Sequence, residues 1–128
     1  MILLDTCALL WLGSDQSRLS GRATELIGEN QAGLFVSSIS AFEIALKHRR
    51  KKLVLPQEPQ AWFQLAVEHL GLHEIAADAG ILVLSVALPE LHRDPCDRII
   101  AATAKAHRLI CLTPDPLIRQ YPGVETAW

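Results

Sequence analysis

The chain has 128 residues, half of them hydrophobic and a fifth charged. It is long enough to bury a core and too apolar for a disordered segment. A formal net charge of -2 excludes nucleic-acid binding by bulk charge, so any such binding must rest on a local patch.

The first five residues, Met1-Ile2-Leu3-Leu4-Asp5, read as a strand over 2–5 that is buried on both faces and ends on an acid. Ala8 to Leu12 predicts a helix stopped at Gly13. Ser17 or Ser20 can cap a second helix running to about Asn30, with Ala23, Leu26 and Ile27 inward. Leu34 to Ser37 is the second strand. Ser40 to about Lys51 predicts a helix with Phe42, Ala45 and Leu46 at core spacing, closed by the basic run from Lys47 to Lys52. A connector, Leu53 to Pro56, leads to a helix that starts near Pro59, carries Trp62, Phe63, Leu65, Ala66 and Leu70, and stops at Gly71. His73 to Ile75 fits a short strand. Ala76 to Ala87 is apolar enough for a buried helix, which Pro89 ends. Asp94-Pro95 opens another helix, and Leu109 to Leu112 is a further strand. Thr113-Pro114 predicts a short helix, and Val124 to Trp128 a last edge strand. Strands alternating with helices predict one α/β domain over 1–128 with a mostly parallel sheet.

Cys7, Cys96 and Cys111 have no CxxC spacing. That argues against a zinc site or a disulfide framework and for a reducing, cytoplasmic setting. The N-terminus lacks a basic leader. The longest apolar run, Ile81 to Leu88 with one serine inside, is far short of the ~20 residues a membrane span needs.

The acids carry the chemistry. Each alone fits a helix cap. Ser40-Ala41-Phe42-Glu43 reads as a capping box, and Asp94 as an N-cap followed by proline and, at the third position, Asp97. Thr113 with Asp115 reads as a capped first turn favoured by the helix dipole, and Asp5 can cap the helix that follows it. Together they mean more. In a parallel sheet the strand carboxyl ends, and the helices that follow them, share one edge, where open α/β sheets bind ligands. Four of the six aspartates (Asp5, Asp94, Asp97 and Asp115) fall at such places. Carboxylates gathered there repel one another. A hard divalent ion such as Mg²⁺ or Mn²⁺ relieves that repulsion, and it can activate water and polarise a phosphoryl oxygen. With this many acids the site has room for one or two ions. The reaction that suits the assembly is phosphodiester hydrolysis.

Four stretches carry a family resemblance: Leu3-Leu4-Asp5-Thr6 with Ala8-Leu9-Leu10-Trp11; Ser37 to Ala45; His92 to Ala102; and Leu112-Thr113-Pro114-Asp115. Together they resemble PIN-domain proteins, and among these the VapC-like ribonuclease toxins of bacterial toxin–antitoxin pairs. The resemblance spans essentially the whole chain. It implies a three-layer sandwich of helices around the sheet. It also implies Mg²⁺- or Mn²⁺-dependent endonucleolytic cleavage of RNA, leaving a 5′-phosphate and a 3′-hydroxyl. Asp5, Glu43, Asp97 and Asp115 match the family's metal-binding acids, Asp94 an extra acid of this subgroup, and Thr113 a supporting hydroxyl. A homodimer and a cognate antitoxin covering the active site are implied as well. Cys7 stands where many relatives have histidine and Cys96 where they have phenylalanine; neither change removes an acid.

Around the acids, Thr6 is a candidate support. Arg93 and Arg98 are placed to grip a phosphate or pair with a carboxylate. The basic run offers Lys47, Arg49, Arg50 and Lys51 as RNA contacts, against the plainer reading of a solvated helix end. His92 reads as a loop histidine, and Trp11, Trp62 and Trp128 as core or interface residues. Several alternatives stay open. A receiver-like signalling domain also gathers acids around Mg²⁺, but it wants a lysine at the end of a late strand. None of Lys47, Lys51, Lys52 and Lys105 sits there. A haloacid-type phosphohydrolase wants an acid where Cys7 stands. An inert binding scaffold of the same fold and an RNA-processing nuclease that is not a toxin complete the set.

Overall fold

The computed structural model describes residues 1–128. Five strands form one sheet: β1 (Ile2–Leu4), β2 (Leu34–Ser37), β3 (His73–Ile75), β4 (Ile110–Leu112) and β5 (Thr126–Ala127), in the order β3-β2-β1-β4-β5. Every pair is parallel, so the expected mostly parallel sheet is wholly parallel. β1 is the centre, with Ile2 opposite both Leu34 and Ile110. The chain builds outward from β1 through β2 and β3, then returns to β1's other side for β4. The strand order therefore reverses between β1 and β4, the position at which such sheets open a crevice.

Alternate residues of β1 serve opposite faces. Ile2 and Leu4 pack into one core with Ala8, Leu9, Ala23, Ile44, Trp62 and Phe63. Leu3 packs into the other with Ile81, Ile99, Ile100 and Cys111. Helices α1 (Thr6–Leu12), α2 (Gly21–Glu29), α3 (Ser38–Arg49) and α4 (Pro59–His69) supply residues to the first core. Helices α5 (Ala79–Ala87) and α6 (Pro95–His107) supply the second. The result is the three-layer sandwich, and covering both faces explains the unalternating Ile-Leu-Leu of β1.

Four local expectations change. α3 begins at Ser38, capped by the Ser37 hydroxyl, which accepts the Ile39 N–H at 3.1 Å. Ser40 is therefore already inside the helix and no capping box exists. The inward face of α3 is Ser40, Glu43 and Ile44, while Phe42 is 57% exposed. The Phe42, Ala45, Leu46 spacing marked the wrong face because serine and glutamate, not apolar residues, line the buried stripe. In α4, Leu65 points outward. In α5 only Ile81 and Ser85 are buried, and Val83 and Val86 are 71% and 79% exposed. That helix lies on the surface against α6, so its uniform apolarity does not report burial. After β4 no α-helix forms; Pro114 and Asp115 stay in a loop that reaches a 3₁₀ turn at Ile118–Gln120. No helix is long and apolar enough to cross a membrane.

Candidate active site

Three strand ends and one helix start meet at the carboxyl edge of the sheet. Asp5 follows β1, caps α1, and is 3% exposed. Its Oδ1 accepts the Ala8 N–H at 2.7 Å and its Oδ2 accepts the Thr113 hydroxyl at 2.5 Å. Thr113 directly follows β4 and also accepts the Asp115 N–H at 3.0 Å. The residues flanking the reversal between β1 and β4 are thus tied to each other.

Glu43 reaches the same cleft from the inner face of α3. The Thr6 hydroxyl donates to its Oε1 at 2.9 Å and lies 2.9 Å from the Ser40 hydroxyl. Lys47, one turn on, holds Oε2 at 3.0 Å. Burial works against the charge on Lys47, but the Glu43 partner outweighs it and lifts its pKa. Asp94 caps α6 by accepting the Cys96 N–H at 2.9 Å, and Asp97 sits in the first turn behind it. Asp115 accepts the Leu117 N–H at 2.8 Å through Oδ1. One cleft of about 330 Å³ is lined by Asp5, Glu43, Asp94, Asp97 and Asp115 together with Lys47. All five expected acids are brought together.

Within the cleft the acids form two overlapping groups. Ligand atoms of Glu43, Asp94 and Asp97 lie within 4.8 Å of one another, as do those of His92, Asp97 and Asp115. Asp97 belongs to both. Asp5 lies beneath, with a hydrogen bond on each oxygen and lone pairs left over for a cation. Burial raises Asp97 to about 7, and repulsion from Asp94 and Glu43 adds to it, while His92 works the other way. Burial likewise raises Asp5 to about 6 against the bonds from Thr113 and Ala8, with Glu43 and Asp115 adding repulsion. A site whose acids resist ionisation when empty is one that a cation completes. The donors are carboxylate oxygens, the set that Mg²⁺ and Mn²⁺ prefer. Cys7 lines the cleft too, but burial pushes its thiol to about 11. It is therefore not a nucleophile near neutral pH.

His92 is the site residue that the sequence did not reveal. Its Nε2 lies 2.9 Å from both Asp97 Oδ2 and Asp115 Oδ2. Its Nδ1 accepts the Asp94 N–H at 3.1 Å, which puts the proton of a neutral ring on Nε2. His92 therefore donates to Asp115, with Asp97 Oδ2 at the same distance beside it. Nothing in the residue types marks this, because the placement depends on the loop. Arg98 fixes that loop. Its guanidinium donates to the carbonyls of Ser85, Val86, Leu88, Pro89 and His92 and to the Tyr121 hydroxyl. The expected grip of Arg98 on a phosphate or carboxylate is thus corrected. Five carbonyls and one hydroxyl occupy its two terminal nitrogens, and Arg98 acts by holding the segment between α5 and α6. Ser40, read as a cap, turns inward instead; its spacing three residues before Glu43 on one helix face was the available signal.

Among the basic candidates only Lys47 reaches the acids. Arg49, Arg50 and Lys51 are exposed at the far end of α3, and Arg93 is exposed beside Asp94; none forms an ion pair.

Residues 2–124 match the PIN domain family. Ribonuclease VapC22 of Mycobacterium tuberculosis (strain ATCC 25618 / H37Rv) is 32% identical over 130 residues, covering 99% of this chain and 98% of that protein. Among solved structures, VapBC2 from Rickettsia felis bound to a DNA fragment from their promoter has a TM-score of 0.72 at 17% identity, covering 99% and 98% of the two chains. A toxin–antitoxin complex from Klebsiella pneumoniae has a TM-score of 0.68 at 24% identity, covering 100% and 98%. At those identities the structures speak to the fold, which they share with this chain.

Proposed function

The chain belongs to the PIN-domain family, and we propose that it is a metal-dependent endoribonuclease, the toxin of a toxin–antitoxin pair. It acts as a single PIN domain over 1–128 that cuts RNA by hydrolysis. The observation that carries this reading is the convergence of Asp5, Glu43, Asp94, Asp97 and Asp115 on one cleft at the reversal of strand order. The relative that is 32% identical over nearly the whole length is itself a ribonuclease.

Asp5, Glu43, Asp97 and Asp115, with Asp94 beside them, hold one or two Mg²⁺ or Mn²⁺ ions. When bound, the ion supplies a nucleophilic water at neutral pH and neutralises charge on the phosphoryl oxygens. The protein's own work is positional. Thr113 and the Ala8 N–H fix the Asp5 carboxylate, Thr6 and Lys47 fix Glu43, and His92 draws Asp97 and Asp115 towards one point. Such preorganisation holds the carboxylates close together before an ion would bind. Water adds to phosphorus, the bond to the 3′-oxygen breaks, and that oxygen takes up a proton, leaving a 5′-phosphate and a 3′-hydroxyl.

An antitoxin protein is the proposed partner; the toxin–antitoxin complexes that share the fold support it. Self-association as a homodimer is supported by the outward Val83 and Val86 of α5, with Leu82 at 41% exposure beside them; an isologous contact could bury them. Three free cysteines suit a cytoplasmic location.

The test is cleavage of a set of RNAs with Mn²⁺, with EDTA, and with Asp97→Asn. The reading expects cleavage that EDTA abolishes and that Asp97→Asn slows on the order of 10²-fold or more. Full activity of Asp97→Asn would sink the assignment of the acids.

A further inference from the structure

A second groove opens directly beside the acid cleft. It lies between α1 and the connector at residues 52–56, and its volume is about 330 Å³. Cys7 and Lys47 line both cavities, so the two adjoin each other. The walls differ completely in charge. The acid cleft gathers five carboxylates, whereas the groove holds Arg18, Lys47 and Lys52 and not one Asp or Glu. Lys47 is paired with Glu43; in a chain of net charge -2, the other two cations, with no acid in the groove, are a local departure that an anion would relieve.

Two of those cations are unspent. Arg18 and Lys52 are exposed and form no ion pair. Arg18 is nevertheless held in place, with its guanidinium 4.7 Å from the centroid of the Trp11 ring. Trp11 is braced in turn by Trp128, ring centroids 5.6 Å apart at 57°. Stacking on a ring orients a guanidinium while leaving its N–H edge available for a phosphate. Leu10, Trp11, Leu53 and Leu55 give the groove an apolar wall, with Val54, 94% exposed, at its rim. Basic side chains beside an aromatic wall are what single-stranded nucleic acid binds: backbone on the cations, base or sugar on the apolar surface. The volume lies at the small end of ligand sites, a size for about one nucleotide.

We propose that this groove is a subsite for the RNA segment flanking the scissile phosphate, with Lys52 and Arg18 holding backbone phosphate and the Trp11 wall packing the adjoining nucleotide. Lys47, shared by both cavities, marks the path from one to the other. The inference rests on the reading of the acid cleft as a ribonuclease centre and extends it to where the strand runs. The occupant is RNA and not an antitoxin segment because the groove adjoins the acids and its unpaired cations, Arg18 and Lys52, match phosphate.

The experiment measures binding of a short random-sequence single-stranded RNA at several salt concentrations in EDTA, for the wild type and for Arg18→Gln/Lys52→Gln. Each single strand contact contributes about 0.7 to the slope of log K against log salt. The double variant is expected to lose about 1.4 of that slope and Arg18→Gln alone about 0.7, with Mn²⁺ binding at the acids unchanged. An unchanged slope and affinity would overturn the proposal and return the groove to a protein partner. Cleavage of the same RNA with Mn²⁺ reads the catalytic assignment separately, so the two can fail independently.

Discussion

Asp5 and Asp78 make a useful pair. Each follows an extended segment, each caps the next helix, and each accepts the N–H three residues on, at 2.7 Å for Ala8 and 3.0 Å for Ile81. Locally they are the same device. Asp78 is exposed, its carboxylate has no hydrogen-bond partner beyond the cap, and it leads into the surface helix α5. Asp5 is buried at the central strand, is bonded to a threonine 108 residues away, and shares its cleft with four other acids. Capping is therefore no argument against function. A cap needs one oxygen and can stand in water; a candidate metal site needs the cap residue to be buried where several strands end together.

The largest expected consequence of that difference is a pH dependence of stability. Asp5 and Asp97 rise from 3.8 to about 6 and about 7 in the folded chain. Between those values and 3.8 the folded state binds more protons than the unfolded one, so stability falls as pH rises from about 4 through about 7. Each tenfold difference in proton affinity between the two states is worth about 1.4 kcal/mol. With solvent screening allowed for at the less buried Asp97, the loss amounts to a few kcal/mol. Urea unfolding in EDTA at pH 5 and pH 8 should show it. Asp97→Asn should flatten the dependence, whereas Asp78→Asn should leave it alone. Saturating Mn²⁺ should reverse the trend, since the ion binds the ionised acids. Stability in EDTA that increased towards pH 8 would speak against a self-repelling cluster.

A smaller effect sharpens the same contrast. Thr113→Val removes the donor to Asp5 Oδ2 and leaves a buried carboxylate oxygen without a partner, a loss of about 1–3 kcal/mol. Chemical unfolding at pH 8 reads it, and an accompanying drop in Mn²⁺ affinity would place the effect at the site. The smallest effect belongs to the exposed counterpart. Asp78→Ala should remove about 1 kcal/mol of cap stabilisation and leave Mn²⁺ affinity and RNA cleavage as in the wild type. Loss of metal binding in Asp78→Ala would break the comparison.

How far the sequence reaches follows from the same physics. The strands were legible because Ile2-Leu3-Leu4 and Ile110-Cys111-Leu112 are short apolar runs that stop at Asp5 and Thr113, and the helix starts at Asp5 and Asp94 because caps are chemically distinctive. The five acids were legible because parallel topology sends strand ends to one edge. The start of α3 was not, since Ser37, Ser38 and Ser40 can all cap and only the completed sheet selects Ser37. His92 and Arg98 were not legible because their roles depend on a loop whose shape Arg98 itself sets through six acceptors outside its own helix. The exposure of Val83 and Val86 was hidden by an apolar composition that reports a covered face without saying whether this chain covers it.

The central claim is that acids distant in sequence build one cation site. Calorimetric titration of Mn²⁺ into the wild type, Asp5→Asn, Asp97→Asn and Asp78→Asn tests it most directly. The account predicts saturable binding in the wild type and in Asp78→Asn, and its loss or severe weakening in both Asp5→Asn and Asp97→Asn. Wild-type affinity in Asp5→Asn and Asp97→Asn, with the folded state confirmed by circular dichroism, would contradict it and leave these acids as helix caps.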